Sequence, residues 1–424
     1  MTIGRLHQLF LKYPVACTDT RQIREACIFF ALTGDNFDGN KFASHALKNG
    51  AMYAVVDNPD FAIDNRTILV DDTLRTLQEL ATYHRNYCSA TVLALTGSNG
   101  KTTTKDLLFA VLTKKYNTIA TSGNFNNHIG VPLTLLRIKK ETEIAIIEMG
   151  ANHQKEIGFL CDLALPDHGY ITNFGKAHLE GFGGIEGVIK GKSELYDHLI
   201  KHKKHIFYNA DDTIQRSKLA TYNNKTGFST KAVEFLSVEF LGAHPYVALK
   251  TGECRINTQL IGSYNFSNCC AALLAGTYFE VPINDIKQAL EYYIPENNRS
   301  QVIERDGHSI VLDAYNANPT SMRAALENFK QMNGDFKTVF LGDMFELGKE
   351  STEEHQSIAQ LVEDINFDNA FLIGESFYNT ETSLNKYRSF EDLSEYLKEH
   401  QLAPSQILIK GSRGMALERI LEIL

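Results

Sequence analysis

The sequence Leu95-Thr-Gly-Ser-Asn-Gly-Lys-Thr-Thr-Thr104 decides the fold of the chain around it. Apolar and β-branched residues from Thr91 to Leu95 predict a buried strand, and the residues from Thr104 to Thr113 predict a helix. A glycine loop between a strand and a helix is typical of a phosphate site, because backbone N–H groups turn inward and the helix N-terminus is positive. The stretch therefore predicts a nucleotide-binding α/β unit.

Two side chains of this loop strengthen the prediction. Lys101 supplies a positive charge for β- and γ-phosphates, and the hydroxyl of Thr102 suits Mg²⁺. A full P-loop has a further glycine five residues before Gly100, where this chain has Leu95. The alternative is an ordinary turn with chance glycines, and the agreement of strand, loop and helix disfavours it.

Length and composition limit the class of protein. A chain of 424 residues predicts two to four domains, and 43% apolar with 22% charged residues is typical of a soluble protein. A formal net charge of −9 argues against nucleic acid as a partner. No apolar stretch reaches the length of a membrane span, and seven scattered cysteines without metal spacing indicate reduced thiols. We therefore expect a cytoplasmic protein that does not insert into membranes.

The alternation of strands and helices divides the chain into three α/β domains, at 1–88, 89–296 and 297–424. The central domain contains the glycine loop, and its apolar strands predict a mostly parallel sheet covered on both faces. Residues 225–260 change to short β-like pieces and predict a side sheet. The last domain follows a Rossmann-like pattern and ends in a predicted helix at 415–423; it lacks the glycine fingerprint of dinucleotide sites.

Three residues of the central domain carry possible chemistry beyond the loop. Glu148 ends a predicted buried strand, where a metal ligand and a solvent-facing glutamate are equally expected. His178 follows another predicted strand. It could be a metal ligand, a base or an ordinary loop histidine, and the last is the most common case. Lys192 lies in the apolar stripe of a helix over 186–200, so it must snorkel, pair, lose its proton or be modified. A carbamate made with CO₂ would turn Lys192 into an anionic oxygen ligand.

Eight motifs together resemble the Mur ligase family, and the resemblance covers essentially the whole chain. These motifs are Thr96–Lys105, Thr121–Leu136, Glu148–Ala151, Ala177–Phe182, Lys192–Leu195, Asp313–Met322, Leu341–Gly348 and Lys410–Arg413. The family uses the shorter glycine loop, which accounts for Leu95. The resemblance implies a UDP-sugar-binding domain, a central P-loop ATPase domain and a C-terminal Rossmann-like ligase domain.

The resemblance also implies a reaction and its participants. The activity would be that of an ATP-dependent acid–D-amino-acid ligase in peptidoglycan synthesis. It would join D-alanyl-D-alanine to UDP-N-acetylmuramoyl-tripeptide through an acyl phosphate, with ATP and two Mg²⁺ ions, and the enzyme is expected to be a monomer.

Matching the family motifs assigns roles to individual residues. Those implied to act in catalysis are Lys101, His178 and Lys192. Those implied to bind ATP are Gly97, Ser98, Asn99, Gly100, Lys101, Thr102, Thr103, Asn268, Arg299, Asp313, Asn316 and Asn318. Thr102 and Glu148 would hold one Mg²⁺, and His178 with a carbamylated Lys192 would support a second. The residues matching the UDP-binding domain are Thr20, Arg21, Asp38 and Gly39, which the residue pattern alone favours as turn residues.

Two alternatives stay open at this point. Folylpolyglutamate synthase shares the fold and chemistry, but that family begins near its P-loop, whereas this chain has about 88 residues before it. A non-catalytic P-loop module that only binds nucleotide is the second alternative. It has no need of Lys192 on a buried helix face, and the chain lacks the Asn-Lys-x-Asp motif of GTPase switches.

Overall fold

The computed structural model describes residues 1–295 and 298–424. The described chain contains a four-stranded, a seven-stranded, a three-stranded, a six-stranded and a two-stranded sheet. The predicted boundary at 88/89 falls between a helix ending at Tyr87 and a strand beginning at Thr91. The predicted boundary at 296/297 lies outside the described residues, and the domain limits stay a prediction.

The N-terminal domain is a small parallel sheet with the strand order β1-β2-β5-β6, next to the β3–β4 hairpin. Its strands are β1 (Val15–Cys17), β2 (Cys27–Phe30), β3 (Thr33–Gly34), β4 (Phe37–Asp38), β5 (Ala51–Val56) and β6 (Thr67–Leu69). Its helices are α1 (Ile3–Lys12), α2 (Ala43–Lys48) and α3 (Thr73–Tyr87). Arg85 of α3 donates to Asp167 of the central domain (Nη2–Oδ2 2.7 Å), which ties the two domains together.

The central domain has an all-parallel sheet with the order β13-β12-β11-β10-β7-β9-β8. Its strands are β7 (Thr91–Thr96), β8 (Thr118–Ala120), β9 (Ile144–Glu148), β10 (His168–Ile171), β11 (His205–Asn209), β12 (Lys225–Ser229) and β13 (Leu236–Ser237). Its helices are α4 (Lys101–Leu112), α5 (Gly130–Leu135), α6 (Glu156–Ala164), α7 (Leu179–Phe182), α8 (Ile185–Lys201), α9 (Thr213–Lys218), α10 (Asn265–Tyr278) and α11 (Ile283–Tyr292).

An antiparallel side sheet follows the large one. It consists of β14 (Glu239–Ala243), β15 (Tyr246–Thr251) and β16 (Cys254–Ile261). The prediction over 225–260 was therefore too broad, because β12 and β13 lie in that range and join the large sheet instead. These two strands are short and follow β11 in parallel, a pairing that residue pattern alone does not reveal.

Strand β7 shows why the central sheet is apolar throughout. Val92 and Ala94 point into the core formed with α5, α6 and α8, whereas Leu93 and Leu95 point into the core formed with α4, α10 and α11. All four residues are completely buried, as expected for a parallel strand covered on both faces. The carboxyl ends of β7, β9 and β10 consequently meet at one edge, where such sheets bind ligands.

The C-terminal domain has a mixed sheet with the order β17-β18-β22-β19-β20-β21, in which only the β17–β18 pair is antiparallel among the described strands. Its strands are β17 (Gln301–Arg305), β18 (His308–Asp313), β19 (Lys337–Gly342), β20 (Asn369–Ile373), β21 (Asn385–Tyr387) and β22 (Gln406–Lys410). Its helices are α12 (Pro319–Gln331), α13 (Ser351–Ile365), α14 (Glu375–Tyr378) and α15 (Phe390–Glu399).

The predicted terminal helix over 415–423 was wrong. The chain forms two 3₁₀ segments there, Arg413–Met415 and Leu417–Glu422. Ala416 between them has φ +47° and interrupts any continuous helix. Leu417 and Ile420 are three residues apart and both fully buried, a spacing that suits the 3₁₀ helix.

A separate question is whether any helix could cross a membrane. Within 1–295 and 298–424, every helix is too short or too polar to do so.

Candidate active site

The glycine loop leads from β7 directly into α4, and two of its glycines are required by geometry. Gly97 has φ +145°, and a Cβ there would lie 1.9 Å from the hydroxyl oxygen of Thr172. Gly100 has φ +77°, and a Cβ there would lie 2.6 Å from Oδ1 of Asn268. Because Gly100 takes the N-cap position, α4 begins at Lys101 rather than at the predicted Thr104. No described side chain caps this N-terminus, which leaves its positive end open to an anion.

Lys101 is folded back onto the loop that carries it. Its Nζ donates to the carbonyl oxygens of Gly97 (2.8 Å) and Ser98 (3.3 Å). Burial lowers the pKa of Lys101, and the nearby carboxylate of Glu148 acts in the opposite direction. A phosphate bound at the loop would add further negative charge and favour the ammonium form.

Glu148 ends β9 with its side chain inside the site. It is 1% exposed and accepts hydrogen bonds from Thr102 (Oγ1–Oε2 3.0 Å) and Asn126 (Nδ2–Oε1 2.9 Å). A buried carboxylate beside a hydroxyl suits Mg²⁺, which prefers oxygen ligands. No cluster of three His, Cys, Asp or Glu ligands occurs in the described chain, so phosphate oxygens and water would complete the coordination shell.

Asn126 was not predicted as a site residue. It lies in the loop before α5, in a segment that also contains Asn124 and Asn127. This concentration of asparagines in a predicted loop was the available signal. Its importance depends on the hydrogen bond to Glu148, which sequence spacing does not reveal.

His178 and Lys192 occupy different surroundings beside the site. Nδ1 of His178 pairs with Oε2 of Glu346, from the C-terminal domain. Lys192 is 1% exposed; its Nζ donates to the carbonyl of Ala151 (3.1 Å) and lies 4.9 Å from the centre of the Phe182 ring. Burial lowers the pKa of Lys192 well below its ordinary value, with further lowering by Lys101. This shift increases the fraction of neutral amine, which is the form that reacts with CO₂.

A cavity of about 580 Å³ lies between the central and C-terminal domains. The predicted site residues that line it are Ser98, Asn99, Gly100, Lys101, Thr102, Thr103, Glu148, His178, Asn268, Arg299, Asp313, Asn316 and Asn318. Gly97 and Lys192 lie outside the lining. Gly97 is part of the loop that forms one wall, and Lys192 is buried on α8.

The C-terminal domain supplies the opposite wall. Nδ2 of Asn318 donates to Oδ1 of Asn99 in the glycine loop (2.7 Å). The guanidinium of Arg299 stacks 3.7 Å from the centre of the Tyr315 ring. Lys410, which is 2% exposed, pairs with Asp313 (Nζ–Oδ2 2.5 Å). Lys410 lies in a recognised motif, but its pairing with Asp313 was not predicted, because this contact joins neighbouring strands that are far apart in sequence.

The four predicted substrate residues of the N-terminal domain do not line this cavity. Arg21 is exposed and pairs with its neighbour Asp19 (Nη2–Oδ2 2.8 Å), and Asp38 accepts a hydrogen bond from the N–H of Asn40 (3.0 Å). Thr20 begins a short 3₁₀ helix, and Gly39 begins another. These contacts belong to ordinary turns, and a role in binding UDP stays a prediction.

Comparisons with known proteins agree with this arrangement. Residues 95–276 match the family model of the Mur ligase middle domain, and residues 298–413 match that of the Mur ligase glutamate ligase domain. The UDP-N-acetylmuramoyl-tripeptide–D-alanyl-D-alanine ligase of Bacillus subtilis (strain 168) is 35% identical, over 96% of this chain and 92% of the relative.

Two solved structures are similar along almost the whole chain. A crystal structure of MurF from Acinetobacter baumannii has a TM-score of 0.86 and 31% identity, and covers 99% of this chain and 98% of that one. MurF ligase from Thermotoga maritima, crystallised with ADP, has a TM-score of 0.85 and 27% identity, with 97% of each chain covered. This chain therefore belongs to the Mur ligase family, in the branch of the UDP-N-acetylmuramoyl-tripeptide–D-alanyl-D-alanine ligases.

Proposed function

We propose that the chain is an ATP-dependent ligase that adds D-alanyl-D-alanine to UDP-N-acetylmuramoyl-tripeptide and so forms the pentapeptide precursor of peptidoglycan. One observation carries the proposal: the open glycine loop and Lys101 face Arg299 and Asn318 of another domain across a single cavity. A nucleotide bound there would have its phosphates at the loop and a second domain over them. The relatives named above support the choice of substrates.

The reaction would proceed in two steps. The terminal carboxylate of the tripeptide attacks the γ-phosphorus of ATP, so that an acyl phosphate forms and ADP leaves. The amine of D-alanyl-D-alanine then attacks the acyl carbon, and phosphate leaves the tetrahedral intermediate. The first step brings two anions together, at a cost of about 4 kcal/mol for unit charges ~4 Å apart in an effective dielectric of ~20.

Residues of this chain reduce that cost. The ammonium of Lys101 and the N-terminus of α4 would face the β- and γ-phosphates, and both are fixed before substrate arrives. Thr102 and Glu148 would hold Mg²⁺, which when bound supplies further neutralisation of phosphate charge. Asn318 and Arg299 would approach the nucleotide from the C-terminal domain and help to exclude water from the acyl phosphate.

We further propose that Lys192 carries a carbamate and, with His178, supports a second Mg²⁺. The neutral amine of Lys192 attacks CO₂, an N–C bond forms, one proton leaves, and the product is an anionic N-carboxylate. Burial of Lys192 supports this step, because it favours the reactive neutral amine. Protein equilibrated with ¹³CO₂ should show a carbamate carbon signal in NMR that is absent from Lys192→Ala. The same spectrum from both proteins would refute the modification.

The main test is a coupled assay of ADP release. Release should require both a UDP-N-acetylmuramoyl-tripeptide and D-alanyl-D-alanine, and the product mass should equal the two substrates minus one water. ATP turnover that ignores both substrates, or that responds to folate and glutamate instead, would refute the assignment. Retention on UDP-agarose gives an independent check of the N-terminal domain.

The setting of the reaction is part of the proposal. Use of ATP and a UDP-linked precursor supports a cytoplasmic enzyme. A monomer is expected, and light scattering at the concentration of the assay measures it directly.

A further inference from the structure

One segment of the central domain contacts the glycine loop along its length. The connector, defined as residues 173–180, follows β10. Oγ of Ser98 donates to the carbonyl of Gly175 (2.7 Å), and the N–H of Asn99 donates to Oδ1 of Asn173 (3.1 Å). The amide of Asn173 donates back to the carbonyl of Asn99 (3.0 Å). These three hydrogen bonds fasten the connector to the glycine loop.

The same connector contacts the C-terminal domain on its other side. The N–H of Lys176 donates to Oγ1 of Thr320, on the first turn of α12 (3.0 Å). Nζ of Lys176 forms an ion pair with Oε1 of Glu354, on the first turn of α13. The N–H of Glu180 donates to the carbonyl of Glu346 (3.2 Å). The connector thus links the glycine loop to α13, and it adds a second link to α12 beside the direct contact of Asn318 with Asn99.

The ion pair is unevenly buried. The side chain of Glu354 is 12% exposed and that of Lys176 is 48% exposed. Lys176 also faces the carboxylates of Glu350 and Glu353. Its removal would leave a nearly buried carboxylate close to two others, all on the C-terminal domain. Separation of the domains would lower the electrostatic cost of this unpaired carboxylate, because water would then reach Glu354.

We infer that Lys176 and Glu354 are positioning residues whose ion pair stabilises the arrangement of the C-terminal domain over the glycine loop. The connector couples that arrangement to Ser98 and Asn99, so closing the domain also fixes the phosphate site. Neither residue lines the cavity, so both act through other groups. The inference deepens the proposed function and rests on it only for the kinetic measurement below.

Hydrogen exchange tests the role of the Lys176–Glu354 ion pair without depending on catalytic activity. The experiment compares the full chain with Lys176→Met, Glu354→Gln, the double variant and Lys176→Arg. The matched control is Arg75→Met, which removes an ion pair with Glu79 (2.8 Å) inside α3. The readout is the exchange rate of the connector peptide, measured by mass spectrometry with N-terminal-domain peptides as the internal reference. This rate follows the open population even when the closed form dominates.

We expect connector exchange to rise about threefold to tenfold in each single neutral variant, the range for one partly buried ion pair. The double variant should show no further rise, since either change already removes the pair, and Lys176→Arg should stay near the wild type. Arg75→Met should leave the connector unchanged. Unchanged exchange in Lys176→Met, or effects that simply add in the double variant, would overturn the inference.

The kinetic readout separates positioning from general damage. In Lys176→Met, kcat should fall by a smaller factor than the exchange rises, because kcat follows the closed population and exchange follows the open one, while KM for UDP-N-acetylmuramoyl-tripeptide stays constant. Phosphate released per pentapeptide should also rise above one, because a loosely closed site admits water to the acyl phosphate. A wild type that fails to ligate would refute the proposed function, but the exchange comparison would still decide the role of the ion pair.

Discussion

Two strand–loop–helix units meet at the cavity, and the N-termini of their helices are capped in opposite ways. In the central domain, β7 leads to α4, whose N-terminus has Gly100 as N-cap and no side-chain cap among the described residues. In the C-terminal domain, β18 leads to α12, whose N-terminus is closed by a capping box of Asn318 and Ser321 and by Pro319. The first helix can offer its backbone to an anion. In the second, the N–H groups of Asn318 and Ser321 are already bonded to side chains, so its backbone offers fewer donors to an anion.

Asn318 makes the contrast instructive, because one side chain serves both purposes. Its Oδ1 accepts from the N–H of Ser321 (2.9 Å), while its Nδ2 donates to Oδ1 of Asn99 (2.7 Å). The cap of one helix is therefore also the contact with the other loop. Capping leaves the amide nitrogen of an asparagine free to donate, whereas an ionised aspartate cap would have no donor.

The largest effect should come from Lys101→Met. The phosphates are expected at the uncapped N-terminus of α4. Lys101→Met removes the only lysine on the first turn of this helix among the described residues. ATP turnover should fall by about 10³ or more, since one cation is worth several kcal/mol at a phosphate in a site that excludes water. Steady-state ADP release measures this. A loss below tenfold would show that phosphate is not held at this loop.

A smaller loss is expected from Gly100→Ala. The added Cβ meets Oδ1 of Asn268 at 2.6 Å, and φ +77° is unfavourable for alanine. The affinity for ATP should fall about 10- to 100-fold, as calorimetry with a non-hydrolysable analogue would show. Gly123→Ala is the matched control, because Gly123 also has positive φ (+53°) but no described atom lies within 4 Å of its Cβ position. Equal losses in the two variants would attribute the effect to backbone strain alone.

One buried histidine from each of the two domains extends the comparison to pH. In the C-terminal domain, His355 donates to the carbonyl of Ser351 (2.7 Å) and accepts from the N–H of Met344 (3.0 Å). In the central domain, Nδ1 of His168 is buried without a partner in the described chain. Burial lowers the pKa of His168 from 6.5 to about 4. Burial also lowers the pKa of His355, but of the two histidines only His355 has a hydrogen-bond partner at both ring nitrogens.

The pH dependence follows from this pKa. Unfolded His168 binds its proton near pH 6.5 and folded His168 only near 4, so the unfolded state holds more protons between these values. The free energy of unfolding should fall as the pH drops through this window, by up to about 3 kcal/mol. His168→Phe should remove this part of the pH dependence, as urea titrations at several pH values would show. Parallel curves for wild type and variant would contradict it.

The smallest effect concerns the cap itself. Asn318→Ala should lower the free energy of unfolding of the C-terminal domain by about 1 kcal/mol, the usual value of a lost N-cap. Asn318→Ser keeps a capping oxygen and should stay near the wild type in stability. Both variants lose the contact with Asn99, so both should lower kcat a few fold. Denaturation followed by a probe in this domain, together with kcat, separates the two roles of Asn318.

The accuracy of sequence-based prediction differs between these two units. Strand β7, the loop and α4 are local, and the apolar run, the glycines and Lys101 predicted them well. The start of α4 was misplaced by three residues, because Lys101 and its two following threonines resemble loop residues until Gly100 is known to be the cap. Glu148 and Lys192 could also be identified as candidates from the sequence, since a strand end and an apolar helical stripe are local patterns.

Contacts between distant parts of the chain could not be predicted from the sequence. Asn99 and Asn318 are 219 residues apart, and no spacing predicts that they meet. The pairing of Lys410 with Asp313 depends on β22 lying beside β18, although the two strands are far apart in sequence. The terminal 3₁₀ segments depend on the positive φ of Ala416, which an alanine rarely adopts. Each case needs the packed fold, which residue pattern alone does not provide.

The folded-back position of Lys101 has a consequence for ligand selectivity. Its ammonium already has two carbonyl acceptors, Gly97 and Ser98. An ammonium has three N–H donors, so one donor is left for a ligand, and an ion pair with a phosphate is stronger than the bonds to neutral carbonyls. Nucleosides and weakly charged esters would gain little by displacing the carbonyls. The carbonyls of Gly97 and Ser98 thus hold the ammonium at the loop, where an anionic ligand gains more from it than an uncharged one.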